Sequence, residues 1–265
     1  MAAFNEISPA QLMRLIGTPQ CPVIVDVSID EDFDADPRLI PTAFRHSHTD
    51  LDGMLARLAD RDTIVVCHQG LKLSHGTAAH LRANGLNAQV LTGGNTAWNA
   101  ADLPKVPVQN VPGCLWVTRH RPKIDRIACP WLIRRFVDPN ASFLFVPPSA
   151  VEGVADRFGA TPFDIKGTKW SHVGDNCTFD MMVQSFGLAH PALDALALIV
   201  RAADTDRHDL APQASGLLAM SVGLSRMYRD DTAQLDAGML IYDALYRWAR
   251  DGQSEGHDWP SGTAQ

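Results

Sequence analysis

TIVVCHQGLKLSHGTAAHLRANG, residues 63–85, is the stretch on which the fold turns. Its opening residues are apolar and β-branched without alternation, the pattern of a strand buried on both faces. From Ser74 onward the spacing becomes helical, and the run stops at Gly85, which suits a helix C-terminus. A polar loop containing Gly70 lies between them and starts at Cys67. Working outward, PVIVDV (22–27) and AQVLTGG (88–94) read as further short strands, and TDLDGMLARLA (49–59) reads as a helix. Alternating strands and helices predict a small parallel α/β sheet for the first half.

PKVPVQNVPG, 104–113, carries three prolines and one glycine in ten residues, which forbids a continuous helix. It is read as a linker between a domain over 1–104 and a second domain over 115–250, with 251–265 as a tail. In the second half LWVT (115–118) and SFLFVP (142–147) look like strands. ALDALALIVRAAD (192–204), SGLLAMSVGLSRMY (215–228) and AGMLIYDALYRWAR (237–250) place apolar residues three and four apart. That predicts an α-rich α+β domain able to fold without the first.

The chain has 265 residues, 46% hydrophobic and 20% charged, the balance of an ordinary globular protein. Thirty acids against 23 bases give a formal charge of −7, which argues against a nucleic-acid partner. No apolar run reaches membrane-spanning length, so no membrane partner is expected. The opening MAAFNEISPAQLMRLIG lacks the layout of an export signal, and a cytoplasmic location is expected. Five cysteines without a CxxC pair predict neither a disulfide framework nor a structural zinc site.

Cys67 is the candidate nucleophile. In parallel sheets ligands bind beyond the carboxyl ends of strands, and a loop entering a helix turns several N–H groups toward one point. Such a nest attracts anions and favours thiolate, the attacking form of cysteine. Residues His68, Gln69, Gly70, Leu71 and Lys72 form the candidate substrate-binding loop, with Lys72 adding a positive charge. The competing reading is a cysteine that merely packs at a strand end. His68 either tunes the thiolate or is an idle surface residue, and His75 is read as structural.

Residues 6 to about 104 resemble the rhodanese (sulfurtransferase) family. VIVDV (23–27), LIPTAF (39–44), VVCHQGLK (65–72) and LTGGNTAW (91–98) stand in the family's order and spacing. The resemblance implies that Cys67 takes sulfane sulfur from a small-molecule donor as a persulfide, held by the amides of 68–72, and passes it to a thiophilic acceptor. It implies no cofactor for this domain. Two positions depart from the family: Ser28 stands where arginine is usual, and Lys72 replaces the loop's arginine, giving a point charge without a bidentate fork. The related phosphatases use an arginine six positions after the cysteine. Leu73 stands there and predicts no phosphatase activity.

The second half holds the one basic block, WVTRHRPKIDRIACPWLIRRFVDP (116–139). Arg119, Arg121, Lys123 and Arg126, between a strand and a helix, are candidate ligands for an oxyanion, or else a solvated face. His172, Asp180 and Asp204 flank expected helix ends and are candidate ligands for iron, manganese or zinc, with His120 a further contact. Ordinary capping is the alternative for the aspartates. Asp204 and His208 are four residues apart and share a face if the helix continues. Cys129 and Cys177 are expected in the core.

Residues from about 115 to 250 resemble the C-terminal domain of the chromate-resistance protein B family. The resemblance rests on TRHRPKIDRIACPWLIRRFVDPNASFLFVP (118–147), ADTDRHDLAPQASGLLAMSVGLS (203–225) and DAGMLIYDALYRW (236–248). It implies an association with chromate detoxification. The expected function is therefore a sulfurtransferase fused to a chromate-resistance domain. The alternatives are an oxyanion- or redox-stress sensor and a metal-dependent enzyme in the second half.

Overall fold

The computed structural model describes residues 5–58 and 61–256. Residues 257–265 of the expected tail lie outside that range, and the preceding segment continues the last helix as a π-helical turn, Trp248–Gly252.

In chain order the first half contains β1 (Glu6–Ile7), α1 (Pro9–Leu15), β2 (Val23–Asp26), α2 (Asp30–Asp34), β3 (Arg38–Leu39), β4 (Phe44–Arg45), α3 (Leu51–Leu58), β5 (Thr63–Val66), α4 (Lys72–Ala83), β6 (Ala88–Leu91), α5 (Gly94–Ala100) and β7 (Val106–Pro107). The start of α1 is written locally. Ser8 Oγ accepts from the Gln11 N–H at 3.3 Å, Gln11 Oε1 accepts from the Ser8 N–H at 3.0 Å, and Pro9 supplies the first helical φ. The main sheet runs β1-β6-β5-β2-β4 with every pair parallel, as the uninterrupted apolar runs predict. Alternate residues face opposite sides. Val25 and Val65 pack with Met54, Ala78 and Leu81 under α3 and α4, whereas Ile24, Ile64 and Val66 face the other way.

The second half contains β8 (Leu115–Arg119), α6 (Asp125–Leu132), β9 (Ser142–Val146), α7 (Val151–Phe158), β10 (Thr161–Pro162), α8 (Thr178–Ser185), α9 (Pro191–Asp204), α10 (Ala214–Met227) and α11 (Asp231–Arg247). Its small sheet, β10-β8-β9, is parallel throughout, and helices make up the rest. Trp131 is fully buried at the centre against Phe136, Phe179, Tyr242 and Tyr246. Its indole N–H donates to Asp243 Oδ1 at 2.8 Å, and Arg135 grips both oxygens of the same carboxylate at 2.8 Å. A buried indole needs such an acceptor, and Asp243 in turn needs the guanidinium.

The proline-rich boundary segment is itself structured: β7 pairs with β3 (Leu39↔Val106), and Lys105 reaches Asp36 at 2.9 Å. One expectation is corrected: the second half does not close its own core. One apolar cluster contains Leu12, Ile16, Ile24 and Trp98 of the first half together with Trp131, Phe136 and Tyr246 of the second. The Thr42 N–H donates to the Phe136 carbonyl at 3.0 Å, and Asn110 Nδ2 donates to the Ser185 carbonyl at 2.6 Å. Among the described residues, no helix is long and apolar enough to cross a membrane.

Candidate functional site

Cys67 follows the last residue of β5, and residues 68–71 turn the chain into α4. Its side chain is buried, with Sγ 3.2 Å from Ser74 Oγ, one helical turn inside α4. Gly70 takes φ +66°, and any side chain there would strike the backbone of Leu91 and Gly93–Gly94. Gly94, at φ +56°, packs its α-carbon against the Cys67 carbonyl and the Gly70 nitrogen. Two backbone bonds lock the loop from outside: the Asn95 N–H to the Cys67 carbonyl at 3.0 Å and the Thr96 N–H to the His68 carbonyl at 2.9 Å. Behind them, buried Asp26 accepts from the Ser28 N–H and from Asn95 Nδ2, each at 2.8 Å.

The Cys67, His68 and Leu71 carbonyls are therefore engaged while the loop's amides are not. Among the described residues, the N–H groups of 68–72 donate to no protein acceptor. His68, Gln69, Leu71 and Lys72 are exposed around Cys67. Among the described residues no acidic side chain pairs with Lys72 or His68, and the unpaired amides at the start of α4 suit an anion.

The second-half candidates separate. His172 Nε2 stands 3.2 Å from Asp204 Oδ2, 3.4 Å from Asp125 Oδ2 and 3.5 Å from Asp164 Oδ1. Asp180 is not in this group. It lies in the first turn of α8, where Oδ2 accepts from the Cys177 N–H at 3.0 Å and Oδ1 lies 3.6 Å from Arg201. The expected His172–Asp180–Asp204 set is thus corrected: Asp180 caps its own helix, and Asp125 and Asp164 take its place.

Asp125 starts α6, 1% exposed, and its Oδ2 accepts from the Thr178 N–H at 2.6 Å, capping α8 from a distance. Asp164, in the turn after β10 at φ +52°, receives Arg119 at 2.8 Å and Arg126 at 3.2 Å. Hydrogen bonding to Asp125 holds the His172 imidazole up at about 9. Burial, and then the charges of Asp125 and Asp164, raise the Asp204 carboxyl to about 7. Asp125, Asp164 and His172 each offer an atom to a common point, with all the atoms within 4.8 Å of one another. These three could hold a cation, with Asp204 beside His172.

The basic segment does not converge on one oxyanion. Arg119 and Arg126 are spent on Asp164, Arg121 bonds the Ser225 carbonyl at 2.9 Å, and Lys123 is exposed. His120 is exposed and lies outside the carboxylate group. His208 falls beyond the end of α9, beside Asp206 at 3.6 Å. Cys129 and Cys177 are fully buried, as expected. Sequence reasoning missed Asp125 and Asp164. The first sits inside a basic block and reads as its counter-charge, and the second sits in a turn where aspartate is ordinary.

The description of the rhodanese-like domain matches residues 8–101, and that of the ChrB C-terminal domain matches 116–249. Protein ChrB of Cupriavidus metallidurans is 33% identical over 172 residues, covering 63% of this chain and 52% of that protein. The chain thus spans about half the length of that curated relative. A thiosulfate sulfurtransferase structure from Pseudomonas aeruginosa is 27% identical over 38% of this chain and 19% of its own, with a TM-score of 0.33. A rhodanese-like domain protein structure from Staphylococcus aureus is 26% identical over 36% of this chain and 91% of its own, also at 0.33.

Proposed function

The chain belongs to the family of the ChrB C-terminal domain, with a rhodanese-like domain ahead of it, and on that premise we propose that the first domain is a sulfurtransferase working through Cys67. The observation that carries this reading is the cysteine at the end of β5, ringed by the acceptor-free amides of 68–72.

The Cys67 thiolate attacks the outer sulfur of an anionic sulfane donor such as thiosulfate. A sulfur–sulfur bond forms on Cys67 as the donor's own breaks, and sulfite leaves with the electron pair. The loop amides hold the donor's oxyanion and then the persulfide, and Lys72 adds charge at the rim. Ser74 Oγ, 3.2 Å from Sγ, orients the thiolate or its proton. A thiophilic acceptor then takes the terminal sulfur and restores the thiolate. Asp26 and Asn95 act by holding the loop in shape.

The test is cyanide-dependent thiocyanate formation from thiosulfate, read beside intact-protein mass. Wild type should turn over and gain one sulfur atom, removable by cyanide, whereas Cys67→Ser should do neither. Activity retained in Cys67→Ser refutes the assignment.

A further inference from the structure

We propose that Asp125, Asp164 and His172, with Asp204 beside the imidazole, form the binding site of one divalent first-row transition-metal cation, a site separate from Cys67 and independent of the sulfur-transfer reading.

One atom, His172 Nε2, faces three carboxylate oxygens at 3.2, 3.4 and 3.5 Å. An imidazole nitrogen has one hydrogen to donate, so it satisfies one of the three. Two of the three contacts to His172 Nε2 therefore have no hydrogen between them, although each carboxylate accepts elsewhere from the protein. The mutually close atoms of Asp125, Asp164 and His172 fit ligands around a shared centre. With bonds of about 2.1 Å, the His172 separations of 3.4 and 3.5 Å subtend angles of roughly 108–113°.

The second observation is the state of Asp125. It is 1% exposed, and its Oδ1 has no hydrogen-bond partner among the described residues. A buried carboxylate oxygen without a donor is costly, and a cation removes that cost. Asp164 has Arg119 and Arg126 as ion-pair partners, whereas among the described residues Asp125 and Asp204 have only His172 in that role within 4 Å. The charge deficit therefore lies on the side of the cluster where His172 stands, its side chain 39% exposed and reachable by an ion.

The donor set selects the ion. Two carboxylates and one imidazole, with a third carboxylate beside them, suit manganese, iron(II) or zinc, whereas calcium and magnesium prefer all-oxygen sites. The buried Cys129 and Cys177 are not members of the carboxylate–imidazole group.

The full chain should be titrated with Mn²⁺, followed by electron paramagnetic resonance, and with Zn²⁺ against a chromophoric chelator after alkylation of exposed thiols. One site per chain is expected for at least one of these ions, with Ca²⁺ failing to displace it. His172→Ala should weaken binding at least 100-fold with unchanged circular dichroism, and Asp204→Asn, beside the imidazole, should weaken it less. Should Asp204→Asn misfold, His172→Ala and His172→Gln on the exposed loop carry the test. No stoichiometric site for either ion, displacement by Ca²⁺, or a site that survives the His172 substitutions overturns the proposal.

Discussion

Gly17 and Phe136 join the two halves: at Gly17, φ +80°, a β-carbon would run into the Phe136 ring and stand 2.6 Å from Tyr246 Cε1. Gly17 follows Ile16, the C-cap of α1, whereas Phe136 and Tyr246 belong to the aromatic centre around Trp131. A side chain's absence in one half is thus a condition for packing in the other.

Gly17→Ala should destabilise the whole chain by about 2–4 kcal/mol, from overpacking together with the left-handed φ. Because the core is shared, tryptophan fluorescence and far-ultraviolet circular dichroism should report one coincident transition. Two separated transitions in wild type would contradict the shared core.

Gly94→Ala should damage the reaction more than the fold. The new methyl group would meet the Cys67 and His68 carbonyls and the Gly70 nitrogen at φ +56°, so the loop must shift. A fall of tenfold or more in sulfur transfer is expected, with a stability loss of roughly 1–3 kcal/mol. Unchanged turnover would show that the loop's shape is not needed.

Lys72→Ala should raise KM for thiosulfate about fivefold and leave alkylation of Cys67 by a neutral reagent nearly unchanged, since an exposed point charge contributes modestly. The difference should shrink in high salt. Lys72→Arg should keep or improve KM, because guanidinium can grip an oxyanion with two donors. Equal losses in both assays would remove the donor-binding role.

His190 predicts a loss of stability in mild acid. Burial, reinforced by the Arg250 charge, lowers its imidazole to about 4, beside the Tyr246 hydroxyl at 3.5 Å. The unfolded chain takes up this proton near pH 6.5, ahead of the folded one, so stability falls as pH drops from about 6.5 to 4 and levels off below. Its share is about 1–3 kcal/mol, given partial exposure of the ring. In His190→Gln, denaturant titrations between pH 7 and 4 should show a correspondingly shallower slope. An unchanged slope would show that His190 is protonated in the folded chain.

The Cys67 loop was legible because its parts are contiguous. A buried strand, a cysteine, a glycine at φ +66° and a helix start occupy residues 63–72, and local propensity places them without help. The second-half site was half legible. His172 and Asp204 could be named as polar residues at element ends, but nothing local says which other carboxylates they meet.

Asp125 and Asp180 show where sequence reasoning stops. Each is an aspartate in the first turn of a helix, α6 for one and α8 for the other. Asp180 closes on its own chain three residues back, the ordinary fate of such a residue. Asp125 instead reaches Thr178, 53 residues away, and His172. The sequence by itself determined the parallel sheet, the strand–loop–helix around Cys67 and the helical periodicity of the second half, because each depends on neighbours along the chain. Only the tertiary structure decided that the two halves share a core, and that Asp125 and Asp164 rather than Asp180 face His172. Those outcomes depend on how α6, α8 and α9 pack, which is set by the apolar faces around Trp131 and Phe179 rather than by the polar residues brought together.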